Sequence, residues 1–270
     1  MFAVTRMLGA PERAFTEWQD WLVEHADAVV AECENRLLQT NEPLRCAALL
    51  PALSAIEGPV ALLELGASAG LCLYPDAYSY RYQGGGGWDP QSGASSVLLR
   101  SRWSGPEFPL RCPAVVWRAG IDLAPLDAAD PEDRCFLTAL VWPGEAGRVE
   151  RIEAAMDLVR ADPPTLLRGD VSAPGVLHEL AEAAPSEATL VVTTPGVLPY
   201  LSRHQREEVL ATIADLDAVW LSIDPASLHH RWPGQPDDGF VLVRDRTLLA
   251  LVGALGEFVE WLPDTPSPHT

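Results

Sequence analysis

The sequence contains no lysine: all 19 basic residues among its 270 are arginines. An enzyme that forms a Schiff base through a lysine is therefore excluded, and a P-loop nucleotidase is disfavoured because its phosphate-binding lysine has no counterpart. Asp and Glu together number 38, which gives a formal net charge of −19. A field of that sign repels a phosphate backbone, so we expect no nucleic-acid partner, although a local arginine patch would escape this argument.

Long apolar runs and paired cysteines are also missing. No stretch reaches 18 uninterrupted apolar residues, and the first 15 residues lack the apolar segment and cleavage site of a signal peptide. The sequence thus predicts no membrane partner. No CxxC pair occurs, so we expect a cytoplasmic protein with reduced thiols. The five scattered cysteines are Cys33, Cys46, Cys72, Cys112 and Cys135.

Helical and strand-like patterns follow one another along the chain. Apolar residues at three- and four-residue steps predict a helix over 11–40, and a shorter helix is expected over 43–56. Later strand-like runs at 60–65, 114–122, 165–170, 188–194 and 218–225 alternate with helical runs at 148–161, 175–184 and 202–216. This alternation predicts a doubly wound, Rossmann-like α/β fold with a mostly parallel sheet. We expect N-terminal helices over 1–57 and one α/β domain over 58–270.

Two stretches interrupt the alternation. Residues 79–103 indicate two strands joined by the glycine-rich loop Gly84–Gly87, which predicts an inserted β-hairpin. Near the end, residues 240–245 and 248–262 predict a closing antiparallel pair.

The most informative stretch is LLELGASAGLCL, residues 62–73. A buried strand runs into a turn of small residues, where the backbone can approach a ligand closely, and a helix start after it would offer free amides. The spacing is E-x-G-x-x-x-G and not the dinucleotide-binding G-x-G-x-x-G, because Ser68 stands at the second glycine. The turn also shares the G-x-S-x-G spacing of hydrolases, which would require an acid and a histidine after later strands, such as Asp224 with His229 or His269.

The E-x-G-x-x-x-G pattern resembles motif I of class I S-adenosylmethionine-dependent methyltransferases. The resemblance implies that the methionine moiety of S-adenosylmethionine lies against Glu64, Gly66, Ala67, Ser68 and Gly70. It also implies roles for residues at three later strand ends, in cofactor order. These are Asp122 and Leu123 for the ribose, Asp170 and Val171 for the adenine, and Thr193, Thr194 and Pro195 for the reacting groups.

One spacing departs from that pattern. Gly66 and Asp122 are 56 residues apart, whereas a simple βαβ unit needs about 20 residues to reach the acidic position. Either the predicted hairpin is an insertion, or Asp122 is not the ribose ligand, and the sequence leaves both open.

Longer blocks resemble a bacterial family of unknown function, the domain-of-unknown-function family 2332, from about residue 15 to the C-terminus. The blocks are residues 39–53, 61–82, 120–143, 160–170 and 197–201. The resemblance implies a methyltransferase-like Rossmann fold. This sequence departs from the family by having Cys72 where asparagine is usual, and we expect it to lack a helical N-terminal portion that longer members carry.

Residues before the first strand are candidates for substrate contact and catalysis. By the methyltransferase resemblance, Asn41 and Glu42 face the pocket, although both also fit a helix N-terminal cap. A general base for a hydroxyl or amine acceptor would come from Glu42, Asp224 or the His229–His230 pair. The same two histidines could also be considered as metal ligands. However, the side chains of adjacent residues on a strand point to opposite faces, and no third ligand stands at a recognisable spacing, so we expect no metal site.

Two functions remain open on the sequence alone. The first is an S-adenosylmethionine-dependent methyltransferase that acts on a small neutral or cationic molecule, with Tyr78 and Tyr200 lining the acceptor site unless they are wall residues. The second is a catalytically inactive methyltransferase-like module that binds a ligand or a partner. The glycine turn and the strand-end acids would serve both, and nothing indicates the oligomeric state.

Overall fold

The computed structural model of the chain describes residues 1–108, 110–229, 232 and 238–262. Within these ranges the α-helices are α1 Phe2–Met7, α2 Phe15–Glu24, α3 Ala26–Asn35, α4 Arg45–Leu53, α5 Pro131–Ala139, α6 Arg148–Ala161, α7 Val176–Glu182 and α8 Arg203–Asp215. The strands are β1 Val60–Leu65, β2 Ser79–Gln83, β3 Gly87–Trp88, β4 Leu98–Ser104, β5 Val115–Asp122, β6 Thr165–Arg168, β7 Thr189–Pro195, β8 Ala218–Pro225, β9 Phe240–Arg244, β10 Thr247–Val252 and β11 Phe258–Trp261.

All eleven strands belong to one sheet, in the order β3-β2-β4-β11-β10-β9-β8-β7-β1-β5-β6. The five strands β6, β5, β1, β7 and β8 run parallel to one another. The predicted α/β class with a mostly parallel sheet is therefore confirmed. From β1 the chain first builds outward through β5 and β6, and it later builds through β7 and β8 on the other side of β1. Such a reversal opens a crevice at the carboxyl ends of the strands.

Both faces of the central parallel strands β1, β7 and β8 are buried. On β1, Leu62 joins a core cluster with α4, α5 and α6, whereas Leu63 and Leu65 join a second cluster with α7 and α8. A strand covered on both faces needs apolar side chains at successive positions, which explains the VALLEL run. No helix within the described ranges is long and apolar enough to span a membrane.

The helix predicted over 11–40 is interrupted. His25 leaves helical geometry at φ −109° and ψ 17°, and it separates α2 from α3. None of the residues of α2 is buried, and Phe15 is 70% exposed. The predicted apolar stripe is therefore wrong over α2, while Val29 on α3 is buried as expected.

The β-hairpin predicted over 79–103 is also wrong in its pairing. β2 pairs in parallel with β4, and its antiparallel partner is the two-residue strand β3. These strands lie at the far edge of the sheet, beyond β11, whereas β5 pairs directly with β1. The extra residues between Gly66 and Asp122 thus form an insertion that leaves Asp122 at the end of the strand next to β1.

Two further expectations change at the local level. The glycine turn after β1 leads into a three-residue 3₁₀ helix, Leu71–Leu73, and not into an α-helix. The closing antiparallel pair is a set of three strands, β9, β10 and β11. The first change matters for the site, because one turn of 3₁₀ helix offers little of the dipole of a full α-helix.

Candidate functional site

The turn after β1 is built from residues with unusual backbone conformations. Gly66, Ser68 and Gly70 have φ values of +74°, +52° and +74°, a region that L side chains seldom adopt. A Cβ on Gly66 would lie 2.6 Å from Cγ2 of Val197, which follows β7. The small residues therefore let the turn pack closely against the neighbouring loop.

Asp122 fixes this turn from the end of β5. Its Oδ2 accepts a hydrogen bond from the Ser68 amide at 2.8 Å, and its Oδ1 accepts one from the Ala124 amide at 2.9 Å. Oδ1 also accepts a long hydrogen bond from Nε2 of Gln39 at 3.5 Å. An ionised carboxylate has about four acceptor sites, so Oδ2 can accept one more hydrogen bond, and Oδ1 can accept one from a ligand that displaces Gln39. Asp122 is half-buried, which leaves that capacity accessible to a ligand.

Gln39 holds the same region from the segment before β1. Its Oε1 accepts a short hydrogen bond from the Ser68 hydroxyl, and its Nε2 donates to the Ala124 carbonyl at 2.5 Å. Sequence reasoning missed Gln39, because a glutamine in an irregular segment belongs to no motif. The hydrolase interpretation requires the Ser68 hydroxyl to donate to a histidine. In the structure it donates to the amide oxygen of Gln39 instead.

A cavity of about 540 Å³ opens beside this network at the carboxyl ends of the parallel strands. Ligand pockets in proteins have volumes of roughly 300–1,000 Å³. The cavity brings together eight of the residues predicted for the site: Gly66, Ser68, Asp122, Leu123, Asp170, Val171, Pro195 and Tyr200. The carboxyl ends of adjacent parallel strands meet at one edge of the sheet, and this explains why residues so far apart in sequence share a cavity.

Comparison with known proteins gives a family and no activity. The model of a family described as an uncharacterised protein conserved in bacteria, DUF2332, matches residues 3–261. The chain belongs to the DUF2332 family. No curated protein and no solved structure matches it.

Several residues predicted to hold the ligand of this DUF2332 protein lie behind the cavity wall. Ala67 is fully buried and contacts β5 at Gly120, where a Cβ would overlap the Cβ of Ala67. Gly70 ends the turn away from the cavity, and a Cβ on it would lie 3.0 Å from Pro164. Thr194 is buried, and its hydroxyl accepts a hydrogen bond from the indole nitrogen of Trp220 at 3.1 Å.

Glu64 is buried at the end of β1, one residue from the turn. Its Oε2 has no hydrogen-bond partner among the described residues. Burial raises the pKa of Glu64 well above its usual value, Cys72 and Asp122 add to the rise, and the positive charge of Arg45 opposes it. Glu64 does not line the cavity, so a polar or cationic ligand group would have to reach past Gly66 to meet its free oxygen.

Glu42 and Asn41 do not line the cavity. Glu42 is fully buried and forms ion pairs with Nε of Arg148 at 2.7 Å and Nε of Arg151 at 2.8 Å. Oδ1 of Asn41 accepts a hydrogen bond from the Leu71 amide at 2.9 Å. Both side chains therefore tie the segment before β1 to other elements, and Glu42 is poorly placed to act as a base.

The two candidate tyrosines have different surroundings. Tyr78 is fully buried and its hydroxyl donates to the Leu71 carbonyl at 2.6 Å. Burial raises its pKa well above the usual value. Tyr200 is 64% exposed and lies at the cavity mouth. Only the second tyrosine is accessible to a ligand.

Asp224 belongs to a buried polar cluster at the end of β8. Its Oδ2 accepts a hydrogen bond from the Ser222 hydroxyl at 2.7 Å, and Nε2 of His229 lies 3.4 Å from that hydroxyl. Burial raises the pKa of Asp224 to about 8, and burial lowers the pKa of His229 to about 4. Asp224 does not line the cavity, and His230 lies outside the described residues. Among the residues that are described, no group of three His, Cys, Asp or Glu is placed to hold a metal ion.

Proposed function

We propose that this DUF2332 protein binds S-adenosylmethionine in the cavity and transfers its methyl group to a small molecule. The observation that carries the proposal is the carboxylate of Asp122, which ends the strand beside β1 and borders the cavity together with the glycine turn. A carboxylate at that place can accept hydrogen bonds from the two hydroxyls of a ribose, and such charge-assisted bonds are strong.

A dinucleotide fits this site less well. The dinucleotide-binding turn places its pyrophosphate at the N-terminus of an α-helix. Here the turn is followed by a single turn of 3₁₀ helix, and Ser68 replaces the glycine that lets the backbone approach the phosphates. A nucleoside without phosphates, joined to an amino acid, makes no such demand.

The adenine end of the ligand would lie beside Asp170 and Val171. Oδ1 of Asp170 accepts hydrogen bonds from the amide and the hydroxyl of Ser172, and Oδ2 accepts none from the described residues. That second oxygen is available to an exocyclic amino group. Glu64, on the other side of the turn, would then face the methionine end.

Methyl transfer itself requires mainly that the sulfonium and the acceptor be held in line. The cavity mouth offers Tyr200, Leu38 and Phe240 for this purpose, which favours an acceptor with an apolar part. The net charge of −19 favours neutral or cationic acceptors, such as amines.

Titration calorimetry with S-adenosylmethionine and S-adenosylhomocysteine tests the proposal. We expect measurable binding, and Asp122→Ala should weaken it by about 1–3 kcal/mol through loss of charge-assisted hydrogen bonds. Asp127→Ala is the matched control, because Asp127 accepts an amide hydrogen bond in the same loop but lies outside the cavity. Absence of heat and of a thermal shift at millimolar cofactor would refute the proposal, and unchanged affinity in folded Asp122→Ala would remove Asp122 from the site.

A ligand-binding module without catalysis is the second candidate. It is favoured by one observation: of the predicted bases, Glu42 is held by two arginines and Asp224 lies behind the cavity wall. An assay of methyl transfer over a library of small acceptors separates the two candidates. Cofactor binding without transfer to any amine, thiol, hydroxyl or carboxylate would favour the module.

A further inference from the structure

Arg45 is a buried cation at the cavity wall. It begins α4, is 8% exposed and lines the cavity. Its Nε donates to the Ala254 carbonyl at 3.1 Å, and its Nη1 donates to the carbonyls of Thr40 at 3.2 Å and Pro195 at 2.7 Å. In the described part of the chain, Nη2 has no hydrogen-bond acceptor and no carboxylate lies within ion-pair distance of the guanidinium.

A buried charge without a counter-charge is costly, so its neighbours matter. The two acids that Arg45 influences are Glu64 and Asp224, and its positive charge lowers the pKa of each. Burial outweighs that effect, so the pKa of Glu64 remains well above its usual value and that of Asp224 reaches about 8. Burial therefore disfavours the charged form of both acids, which makes them weak counter-charges for Arg45.

Gly196 leaves the guanidinium open to the cavity. A Cβ at this position would lie 3.1 Å from both Nη1 and Nη2 of Arg45, and Gly196 itself lines the cavity. Its φ of +92° also disfavours any larger residue. The terminal nitrogens of Arg45 are therefore covered by a residue without a side chain.

The position of Arg45 suits the end of an elongated ligand. Gly196 follows β7 and Asp122 ends β5, with β1 between these strands. Neighbouring strands lie about 4.8 Å apart, so the two ends of the cavity are separated by roughly 10 Å across the sheet. A nucleoside bound at Asp122 would extend past the glycine turn and bring a group on its far end to Arg45.

We propose that Arg45 binds the carboxylate at the amino-acid end of the ligand through Nη2, whose two N–H groups meet no acceptor among the described residues. This inference rests on the proposed function and identifies the ligand group that Arg45 recognises. A carboxylate supplies the missing counter-charge, and guanidinium–carboxylate hydrogen bonds are among the strong ones. Arg45 is a binding residue, and no proton transfer is assigned to it.

A purely structural role is the competing explanation, because Arg45 also clamps three carbonyls. Arg111 offers a matched control. Its Nε donates to the Ser54 carbonyl at 2.9 Å and its Nη2 donates to the Ile56 carbonyl at 3.2 Å, and it does not line the cavity. Arg111→Met removes a carbonyl clamp of the same kind without touching the ligand.

The test compares S-adenosylmethionine with its decarboxylated form, which keeps the adenosyl, sulfonium and amine groups. We expect the wild-type protein to bind S-adenosylmethionine about 10- to 100-fold more tightly. In Arg45→Met this ratio should fall close to one, whereas Arg111→Met should keep it. A structural clamp would weaken both ligands alike and leave the ratio unchanged.

The possible failures can be told apart. If the wild-type protein binds neither ligand, the proposed function fails and this inference fails with it. If it binds both ligands equally well, or if folded Arg45→Met keeps the wild-type ratio, the carboxylate assignment alone is overturned. If Arg45→Met does not fold, Arg45→Lys takes its place. The quantity compared is again the ratio of the affinities for S-adenosylmethionine and its decarboxylated form, and a ratio near one in the wild-type protein overturns the assignment.

Discussion

Replacing Glu42 with glutamine tests whether this residue holds the fold together. Its carboxylate is fully buried, pairs with Arg148 and Arg151 through their Nε atoms, and accepts the Leu44 amide at 3.0 Å. Glu42→Gln keeps the shape and removes the charge, which leaves Arg151 without a counter-charge among the described residues and Arg148 with only the partly exposed Glu145. Breaking a buried ion pair from one side costs about 3–5 kcal/mol.

The free energy of unfolding is measured by urea denaturation, with fluorescence of the nine tryptophans as the signal. For a chain of this size, 1 kcal/mol shifts Tm by about 2–4 °C, so we expect a loss of roughly 6–20 °C. Glu145→Gln is the control, because Glu145 pairs with the same Arg148 at 2.8 Å but its side chain is 35% exposed. Exposed pairs contribute about 0–1 kcal/mol.

Comparison of the two variants therefore shows how much of the loss in the free energy of unfolding comes from burial of the ion pair and how much from ion pairing alone. A loss below about 1 kcal/mol in Glu42→Gln would contradict the reasoning, since the buried charge would then be dispensable. If that variant kept its stability and its cofactor affinity but lost methyl transfer, the sequence-based prediction of Glu42 as a general base would be restored.

Three further outcomes follow from packing and from pKa shifts. Gly120→Ala should weaken cofactor binding at least tenfold in calorimetry, because its Cβ would overlap that of Ala67 and displace the glycine turn; Ala67→Gly in the same chain should restore part of the affinity, and no rescue would contradict the steric cause. The pKa of Asp224 rises from 3.8 to about 8 on folding, so its contribution to stability should fall as pH rises between these values, by up to about 1.4 kcal/mol per unit. The pKa of His229 falls from 6.5 to about 4, so its contribution should fall as pH drops through that interval and should oppose that of Asp224 there. In urea titrations Asp224→Asn should remove the fall of stability above pH 6.5, His229→Gln should expose the fall due to Asp224 below it, and a wild-type profile that persists in either variant would exclude that group as a source.

The buried parallel strands were predictable because their pattern is local. Residues 60–65, 188–194 and 218–225 are runs of apolar side chains, and each is a strand covered on both faces. The partner of a strand is a different matter. β2 pairs with β4 in parallel at an edge reached through β11, and nothing in residues 79–103 encodes that distant neighbour.

In the candidate site, too, some features were predictable from the sequence and others were not. Asp122 and Asp170 meet in one cavity because the ends of parallel strands share one edge of the sheet, a consequence of topology that the order of motifs anticipates. The surroundings of Glu42 depend on Arg148 and Arg151, more than 100 residues later in the chain. No local spacing links an acid to such remote partners, so a structural ion pair and a catalytic base look alike in the sequence.

The segment before β1 shows why its polar residues were mistaken for substrate ligands. Gln39 binds the turn and the loop after β5, Asn41 binds the Leu71 amide, and Glu42 binds two arginines on α6. Each polar group is used to hold this segment across the end of the sheet, where an unpaired buried group would be costly. Nη2 of Arg45, in contrast, donates to no acceptor among the residues that the structure describes.

The residues that line the cavity also limit the chemistry that it can support. Among the described lining residues the ionisable groups are Arg45, Asp122, Asp170 and Tyr200. On the proposed function, the first three are engaged by the cofactor, and the phenol of Tyr200 is a poor general base. An acceptor that must lose a proton before attack would find no base at the wall. Acceptors that attack without prior deprotonation, such as a neutral amine or a carboxylate, need only alignment with the sulfonium. Because the net charge of −19 disfavours anionic acceptors, the acceptor library is best weighted towards neutral amines, and transfer to an alcohol alone would contradict the absence of a base among the described lining residues.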